Sequence, residues 1–181
     1  MYVTMMSVIL GGVLNMIFCK TSFYKKHRTP MDFNKTFKGK RIFGDNKTWI
    51  GFLGMIVSCI ITQVTWGCIC KIFNLPSDLY LIYSNTVIYN LILGFLFGFL
   101  YMLFELPNSF LKRQIGITPG KTENRCFFVI DQIDSLLGVM LVLFWVSKID
   151  LLDYVEYVLL GGFTHIAVNL VLYKMRIRRN L

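Results

Sequence analysis

Five long apolar stretches alternate with shorter polar segments along the 181 residues of the chain. Each stretch is about 17–23 residues long, the length that an α-helix needs to cross the roughly 30 Å of hydrocarbon in a bilayer. The predicted spans are residues 2–18, 49–70, 82–104, 127–146 and 154–173. The pattern predicts an all-α, polytopic integral membrane protein with five transmembrane helices, in which residues 1–181 form a single membrane-embedded domain.

Composition and charge support this prediction and orient the chain. Hydrophobic residues make up 55% of the sequence, aromatic residues make up 15%, and the net charge is +9. In the five-span arrangement, 17 of the 19 Lys and Arg residues fall on one side of the membrane, in segments 20–48, 105–126 and the C-terminal tail. Only Lys71 and Lys148 fall on the other side. Because basic loops stay in the cytoplasm, we expect a multi-pass cell-membrane protein with its N-terminus outside and both long loops and the C-terminus cytoplasmic.

The basic residues fit two roles besides topology. Attraction to anionic lipid headgroups explains part of the charge. In segment 20–48 the cations alternate with Gly, Asn, Thr and Asp, a pattern that favours an anionic substrate. A nucleic-acid partner is not expected, since no binding module for DNA or RNA interrupts the spans. The five scattered cysteines lack the paired spacing of a zinc site and predict apolar packing.

Two carboxylates lie inside the fourth predicted span. An Asp near the centre of a spanning helix costs about 2.5–3.5 kcal/mol on insertion scales, and two acids three residues apart repel each other on one helical face. Asp131 and Asp134 have this spacing, and Ser135 and Gly138 continue the same face, which would leave room for another group. A divalent cation would convert the repulsion into attraction. The alternative is a structural pair neutralised by a Lys or by protonation.

The fifth predicted span carries polar groups at a matching depth. His165 and Asn169 are four residues apart and share a helical face, with Thr164 beside them. We therefore expect the two helices to line a common cavity that opens to the cytoplasm. Hydrogen bonding between helices without a role in catalysis is the alternative for these side chains.

The two cytoplasmic loops complete the predicted site. The second begins ELPNSFLKR at residues 105–113, with an acid, a Pro expected to stop the third helix, two hydrogen-bonding side chains and two adjacent cations. The first ends KTFKGKRIFGDNKTWIG, where glycines permit close backbone approach and cations and amides suit phosphate oxygens. The spacing is not that of a Walker loop. With the buried acids, these loops indicate a site for a phosphorylated, metal-bound substrate.

These segments together resemble the CDP-archaeol synthase family. The resemblance rests on PMDFNKTFKGKR and GDNKTWIG in the first loop, ELPNSFLKR and PGK in the second, DQIDSLLG in the fourth span and GGFTHIAVNLVLY in the fifth. Bacterial-type CDP-diacylglycerol synthases are similar more distantly, through the signature S-x-x-K-R followed by D-R-x-D. In this chain Gln132 stands where that signature has Arg, and the preceding His-Gly-Gly is absent.

The resemblance implies transfer of CMP from CTP to a membrane lipid phosphate, with release of pyrophosphate and a requirement for Mg²⁺. It implies Asp131 and Asp134 as catalytic metal ligands and Lys112 and Arg113 as catalytic phosphate-binding residues. Asp45, Lys47 and Lys121 would bind the nucleotide. The remaining predicted site residues would line the cavity: Glu105, Asn108, Ser109, Thr164, His165 and Asn169.

Two other functions remain compatible with the residues alone. A transporter could use the acidic pair as a cation site, although the chain has no inverted repeat and its polar groups cluster at one face. A CDP-alcohol phosphotransferase would consume the CDP-lipid, but that family resembles a pattern with two further aspartates, which do not follow Asp134 here. The choice between ether lipid phosphate and phosphatidic acid, and the oligomeric state, stay open at this level.

Overall fold

The computed structural model describes residues 2–119, 125–147 and 149–175. Within them the chain forms six α-helices and a short β-hairpin in the first loop. The helices are α1 (Tyr2–Phe18), α2 (Ser22–His27), α3 (Trp49–Ile72), α4 (Val87–Gln114), α5 (Arg125–Val146) and α6 (Leu151–Lys174). The hairpin strands are β1 (Thr36–Phe37) and β2 (Lys40–Arg41), and a 3₁₀ turn covers Asp78–Tyr80.

Four of the helices are long and apolar enough to cross a membrane: α3, α4, α5 and α6. The first helix, α1, is also apolar but has only 17 residues, equivalent to about 25 Å at 1.5 Å per residue. The multi-pass helical architecture predicted from the sequence is therefore confirmed. The fifth span stays a prediction.

Threonine side chains set the starts of two of these helices. Thr48 Oγ1 accepts a hydrogen bond from the backbone N–H of Gly51 at 3.1 Å, and Thr86 Oγ1 accepts one from Tyr89 at 3.2 Å. Such N-caps satisfy backbone donors that have no partner within the helix. The cap at Thr86 corrects the predicted third span, because residues 82–86 precede the helix.

The prediction that Pro107 ends the third span was wrong. Helix α4 continues through Pro107 to Gln114, so the segment ELPNSFLKR is helical and not a loop. Proline removes one backbone hydrogen bond from a helix. Here that loss falls in a 28-residue helix that packs against α3 on one side and α5 on the other. The site residues from Glu105 to Arg113 consequently share a single rigid element.

Close packing at three glycines fixes the positions of α3, α4 and α5. A Cβ atom at Gly94 would lie 2.6 Å from the Cα of Ile60, and one at Gly98 would lie 2.5 Å from the Cα of Ile56. On the other side of α4, a Cβ at Gly138 would lie 2.3 Å from the carbonyl oxygen of Leu100. Small residues let helix backbones approach this closely. The space expected beside Gly138 for another group is therefore filled by α4 itself.

The first loop departs from the all-α prediction through its small hairpin. Thr36 pairs with Arg41 and Phe37 with Lys40, and the connecting residues Lys38 and Gly39 have φ angles of 51° and 76°. Positive φ at both central positions is typical of the tight turns that connect twisted antiparallel strands. The hairpin thus forms because two neighbouring residues adopt left-handed conformations.

The hairpin packs against the end of α4. The Lys40 ammonium donates to the Gln114 carbonyl, and Gln114 Nε2 donates to the Arg41 carbonyl at 3.3 Å. At the other end of the bundle, Asp78 accepts hydrogen bonds from Thr4 at 2.8 Å and from Tyr157. The described parts of both basic loops therefore lie at the same end of the helices.

Candidate active site

A cluster of polar side chains occupies the interface between α4 and α5. Asn108 Nδ2 donates to Oδ1 of Asp131 at 2.6 Å and to Oδ2 of Asp134 at 2.7 Å. One turn further along α4, Lys112 Nζ donates to Oδ1 of Asp131 at 2.6 Å and also contacts Oδ2. Asn108 and Lys112 are both buried. The four predicted site residues therefore meet through matching i,i+4 and i,i+3 spacings on two helices.

Packing explains why a single amide reaches both carboxylates. Gly138 lies one turn beyond Asp134 on α5 and brings the backbone against Leu100 of α4. Asn108 lies about two turns beyond Leu100 on α4. The Oδ1 atom of Asn108 is buried and has no hydrogen-bond partner among the described residues. The amide nitrogen of Asn108 thus contacts both carboxylates, while the bonding capacity of the amide oxygen is unused.

The first loop reaches the same region through an ion pair. Lys47 pairs with Glu105, which lies on α4 one turn before Asn108, and both side chains are about four-fifths buried. Asp45 is more exposed, with 63% of its side chain accessible, and pairs with Arg41 at 3.0 Å. The structure therefore brings Lys47 to the helical part of the predicted site and leaves Asp45 at its outer edge.

Arg113 lies between the end of α4 and the first loop. Its guanidinium donates to the carbonyl of Ile117, and its Nε atom is buried without a partner among the described residues. A Cβ atom on Gly44 of the first loop would lie 3.4 Å from Cδ of Arg113. Ser109 is half-buried on the same helix, and the predicted nucleotide ligand Lys121 lies outside the described residues.

Two polar residues of α6 contact Gln132, which lies between the two aspartates on α5. His165 Nδ1 lies 3.2 Å from the backbone oxygen of Gln132, and Asn169 Nδ2 donates to the Gln132 side-chain oxygen at 3.3 Å. Thr164 donates to the carbonyl of Leu160, one turn back on its own helix. The expected match in depth between α5 and α6 is therefore present. However, Gln132 makes the contact, while Asp131 and Asp134 bond to α4.

A cavity of about 320 Å³ is lined by the Lys47–Glu105 pair and by the polar residues of α6. Its polar lining comes from the first loop, α4, α5 and α6 and includes Asn46, Lys47, Glu105, Ser135, His165 and Asn169. Its apolar lining comes mainly from α1 and α6 and includes Val8, Ile9, Val13, Met16, Val168 and Leu172. A space that is polar at one part and apolar at another suits an amphiphile with a charged headgroup.

Sequence reasoning missed two features of this site. Asp32 accepts hydrogen bonds from Arg41 and from backbone amides of the first loop, and it organises the segment that ends at Lys47. It is one of only two acids among the nine Lys and Arg residues of segment 20–48, and that signal was available. The contribution of α1 to the cavity gave no signal, because its residues are those of any apolar span.

The donor set of the α4–α5 cluster suits a hard divalent cation. No group of three or more His, Cys, Asp or Glu side chains within the described ranges has the arrangement of a metal site. Mg²⁺, however, is commonly held by one or two carboxylates together with substrate phosphates and water. The two carboxylates meet that requirement, and the Asn108 amide, which here faces them with its Nδ2 atom, would add an oxygen ligand after rotation of its side chain.

The long apolar helices, with a cluster of acidic and basic side chains between them at one end, define a polytopic membrane protein. The sequence profile of the CarS-like CDP-archaeol synthase family matches residues 5–180. The chain belongs to this family.

Individual relatives agree over most of their length. The chain is 32% identical to a CDP-archaeol synthase of Archaeoglobus fulgidus over 158 residues, which cover 83% of this chain and 82% of the relative. It is 31% identical to a CDP-archaeol synthase of Sulfurisphaera tokodaii, and the matched residues cover 86% of this chain and 82% of the relative. It is 32% identical to a CDP-archaeol synthase of Pyrococcus furiosus, and the matched residues cover 82% of this chain and 80% of the relative.

One solved structure is similar in fold. It is that of an intramembrane enzyme for archaeal membrane lipids biosynthesis, with a TM-score of 0.67 over 93% of this chain and 92% of that one. The two sequences are 18% identical. This similarity concerns the arrangement of the helices.

Proposed function

We propose that the protein transfers CMP from CTP to an archaeol-type lipid phosphate, giving a CDP-activated lipid and pyrophosphate for phospholipid synthesis. Membership of the CDP-archaeol synthase family supports this function and argues against the transporter and phosphotransferase alternatives. The observation that supports it in the structure is the buried α4–α5 cluster beside a cavity with polar and apolar linings.

The chemistry needs no protein nucleophile. A phosphate monoester has a second pKa near 6 and is largely dianionic at pH 7. Its oxygen can attack the α-phosphorus of CTP directly, so that a new P–O bond forms while the bond from the α-phosphorus to the bridging oxygen of pyrophosphate breaks. Catalysis then requires in-line positioning of the two substrates and stabilisation of charge on the phosphate oxygens.

The cationic side chains take the second of these tasks. Lys112 and Arg113 lie at the end of α4 nearest the first loop, and we assign them to phosphate groups. Lys47, together with Asp45 and Lys121, is assigned to the nucleotide. Substrate phosphates would compete with Asp131 and Glu105 for the ammonium groups of Lys112 and Lys47. The ion pairs therefore keep these cations neutralised until an anionic substrate arrives.

The acidic side chains would hold Mg²⁺. Asp131 and Asp134 supply carboxylate oxygens, and Asn108 supplies an amide oxygen after rotation of its side chain. The ion would neutralise charge on the nucleotide phosphates and on the departing pyrophosphate. Glu105, Ser109, Thr164, His165 and Asn169 are assigned to the walls of the substrate site, where His165 and Asn169 hold α6 in place through Gln132.

Labelled CTP tests this function directly. Purified protein in lipid vesicles with Mg²⁺ should move the label of α-³²P-CTP into an archaeol-type lipid phosphate, with one pyrophosphate released per lipid. Label in the γ-position should stay out of the lipid. We expect a higher kcat/KM than for phosphatidic acid. Preference for phosphatidic acid would contradict the proposed lipid, and lack of CTP consumption with both lipids would contradict the reaction.

We also propose that α1 is a fifth span, with the N-terminus outside and the C-terminus in the cytoplasm. The basis is the excess of Lys and Arg in segments 20–48, 105–126 and the C-terminal tail. A reporter that functions only in the cytoplasm should be active when fused after Leu181, and a reporter that functions only outside should be active at the N-terminus. Activity of an external-only reporter at Leu181 would contradict the five-span topology.

A further inference from the structure

One buried carboxylate organises the first loop. The side chain of Asp32 is fully buried, and its two oxygens accept five hydrogen bonds. Two come from Arg41, at 3.1 Å from Nε and 2.7 Å from Nη2. Three come from backbone N–H groups, those of Asn34 at 3.1 Å, Phe43 at 3.0 Å and Gly44 at 2.9 Å.

This arrangement stabilises the ionised form of Asp32. Burial by itself raises the pKa of a carboxyl group, but the hydrogen bonds from Arg41 and from the backbone of Gly44, Phe43 and Asn34 lower the pKa of Asp32 well below its ordinary value. The carboxylate therefore keeps its charge and its acceptor capacity at all pH values at which a cell operates. Its full set of bonds and its burial leave it no means of contacting a substrate.

The bonds of Asp32 fix the backbone immediately before Lys47. Gly44, which receives one of them, has a φ of +86°, and a Cβ atom there would lie 2.9 Å from Cγ of Pro119. Its carbonyl accepts a hydrogen bond from the Lys47 N–H at 3.3 Å. The Lys47 carbonyl in turn accepts from the Met31 N–H at 2.8 Å, beside Asp32 in the sequence. The backbone of Lys47 is thus hydrogen-bonded to Gly44, which is bonded to Asp32, and to Met31, which precedes Asp32 in the sequence.

The same carboxylate controls the position of Arg41. This guanidinium also pairs with Asp45 at 3.0 Å, so it bridges the buried Asp32 and the exposed Asp45. With Asp32 neutral, Arg41 would lose the charged partner that anchors its Nε and Nη2 atoms and would be free to follow Asp45. Both residues assigned to the nucleotide in this loop, Asp45 and Lys47, therefore depend on Asp32 for their placement.

We infer that Asp32 is a positioning residue, which holds the first loop so that Lys47 and Asp45 are set for the nucleotide before it binds. The inference rests on the proposed function and on the assignment of these two residues to CTP. It predicts that a change at Asp32 weakens the binding of CTP more than it affects the binding of the lipid phosphate or the rate of transfer. Asp32 acts on the nucleotide side of the site, whereas the α4–α5 cluster and the apolar part of the cavity keep their own contacts.

The test is Asp32→Asn, with Glu156→Gln as the matched control because Glu156 is an exposed carboxylate on α6. An Asn side chain offers one acceptor oxygen, and its NH₂ group opposes the backbone donors of the loop. We expect the KM for CTP to rise by about tenfold or more while kcat and the KM for the lipid phosphate change by less than about threefold. Calorimetric titration with CTP and Mg²⁺ should show the same weakening, and Glu156→Gln should match the wild type.

Four results would contradict a positioning role for Asp32. An unchanged KM for CTP in folded Asp32→Asn, or a loss that only follows the folded fraction measured by thermal unfolding in detergent, would overturn the positioning role. If Asp32→Asn cannot be isolated folded, Asp32→Glu keeps the charge and should show a smaller rise of the same KM; no rise there would also overturn it. Absence of CMP transfer by the wild-type chain would contradict the proposed function and this inference with it.

Discussion

Asp134→Asn should abolish CMP transfer and leave the fold intact. Oδ2 of Asp134 accepts a hydrogen bond from Asn108 at 2.7 Å and Oδ1 accepts one from the Ser135 N–H at 2.6 Å. An Asn side chain keeps one of these two bonds through its single oxygen, and we expect the loss of the other to lower the melting temperature without unfolding the protein. No ion pair with any described residue is broken by the change. A neutral amide is, however, a poor ligand for Mg²⁺, so we expect kcat/KM to fall by about 100-fold or more. Turnover and melting temperature should be measured on the same purified protein.

The neighbouring aspartate provides an internal comparison. Asp131 forms an ion pair with Lys112, whose side chain is only 9% exposed, so Asp131→Asn leaves a buried ammonium group without its charged partner. Breaking a buried pair in this way costs about 3–5 kcal/mol. Asp131→Asn should therefore be inactive and the less stable of the two, while Asp134→Asn should be inactive and folded. A stable and active Asp134→Asn would remove this carboxylate from the metal site.

The sequence predicted the multi-pass helical architecture well because hydrophobic length is a local property of the chain. The length and hydrophobicity of a span follow from residues close together in the chain, and the structure has four helices that are long and apolar enough to cross a membrane. Pro107 shows where local reasoning failed. Its effect on α4 depends on the packing of the whole helix against α3 and α5, which residues 105–113 alone do not reveal.

The sequence predicted which residues form the candidate site but not which of them contact each other. Asp131 and Asp134 were expected to face His165 and Asn169, yet α5 directs the aspartates to Asn108 and Lys112 and directs Gln132 to α6. The pairing of Lys47 with Glu105 joins positions 58 residues apart. Such partners depend on how each helix is rotated about its own axis. The sequence alone does not define that rotation.

Asp32 illustrates a different limit. Residues that touch a substrate are polar at exposed or cavity positions, and patterns of charge can point to them. A residue that acts by holding a loop is recognised by the number of hydrogen bonds it accepts, and five of them converge on this carboxylate from residues 34 to 44. That convergence exists only once the hairpin and the Gly44 turn have formed.

Lys112→Met should produce a large loss of activity together with a loss of stability. Asp131 then keeps its charge in a half-buried position without the ammonium group that contacts both of its oxygens. Two roles are combined in this residue, namely neutralisation of Asp131 in the free enzyme and binding of phosphate during catalysis. A single substitution cannot separate them, since each role predicts an inactive protein when the folded fraction is low.

The double variant Lys112→Met with Asp131→Asn separates the two roles. Removing both charges leaves neither partner unpaired, so we expect the melting temperature to recover most of what either single change loses. Activity should stay about 100-fold or more below the wild type, because both a phosphate-binding cation and a metal ligand are missing. Thermal unfolding in detergent and CTP turnover per folded molecule measure the two quantities independently. Recovery of activity along with stability would show instead that Lys112 and Asp131 serve only to hold α4 against α5, and that catalysis depends on other residues of the site.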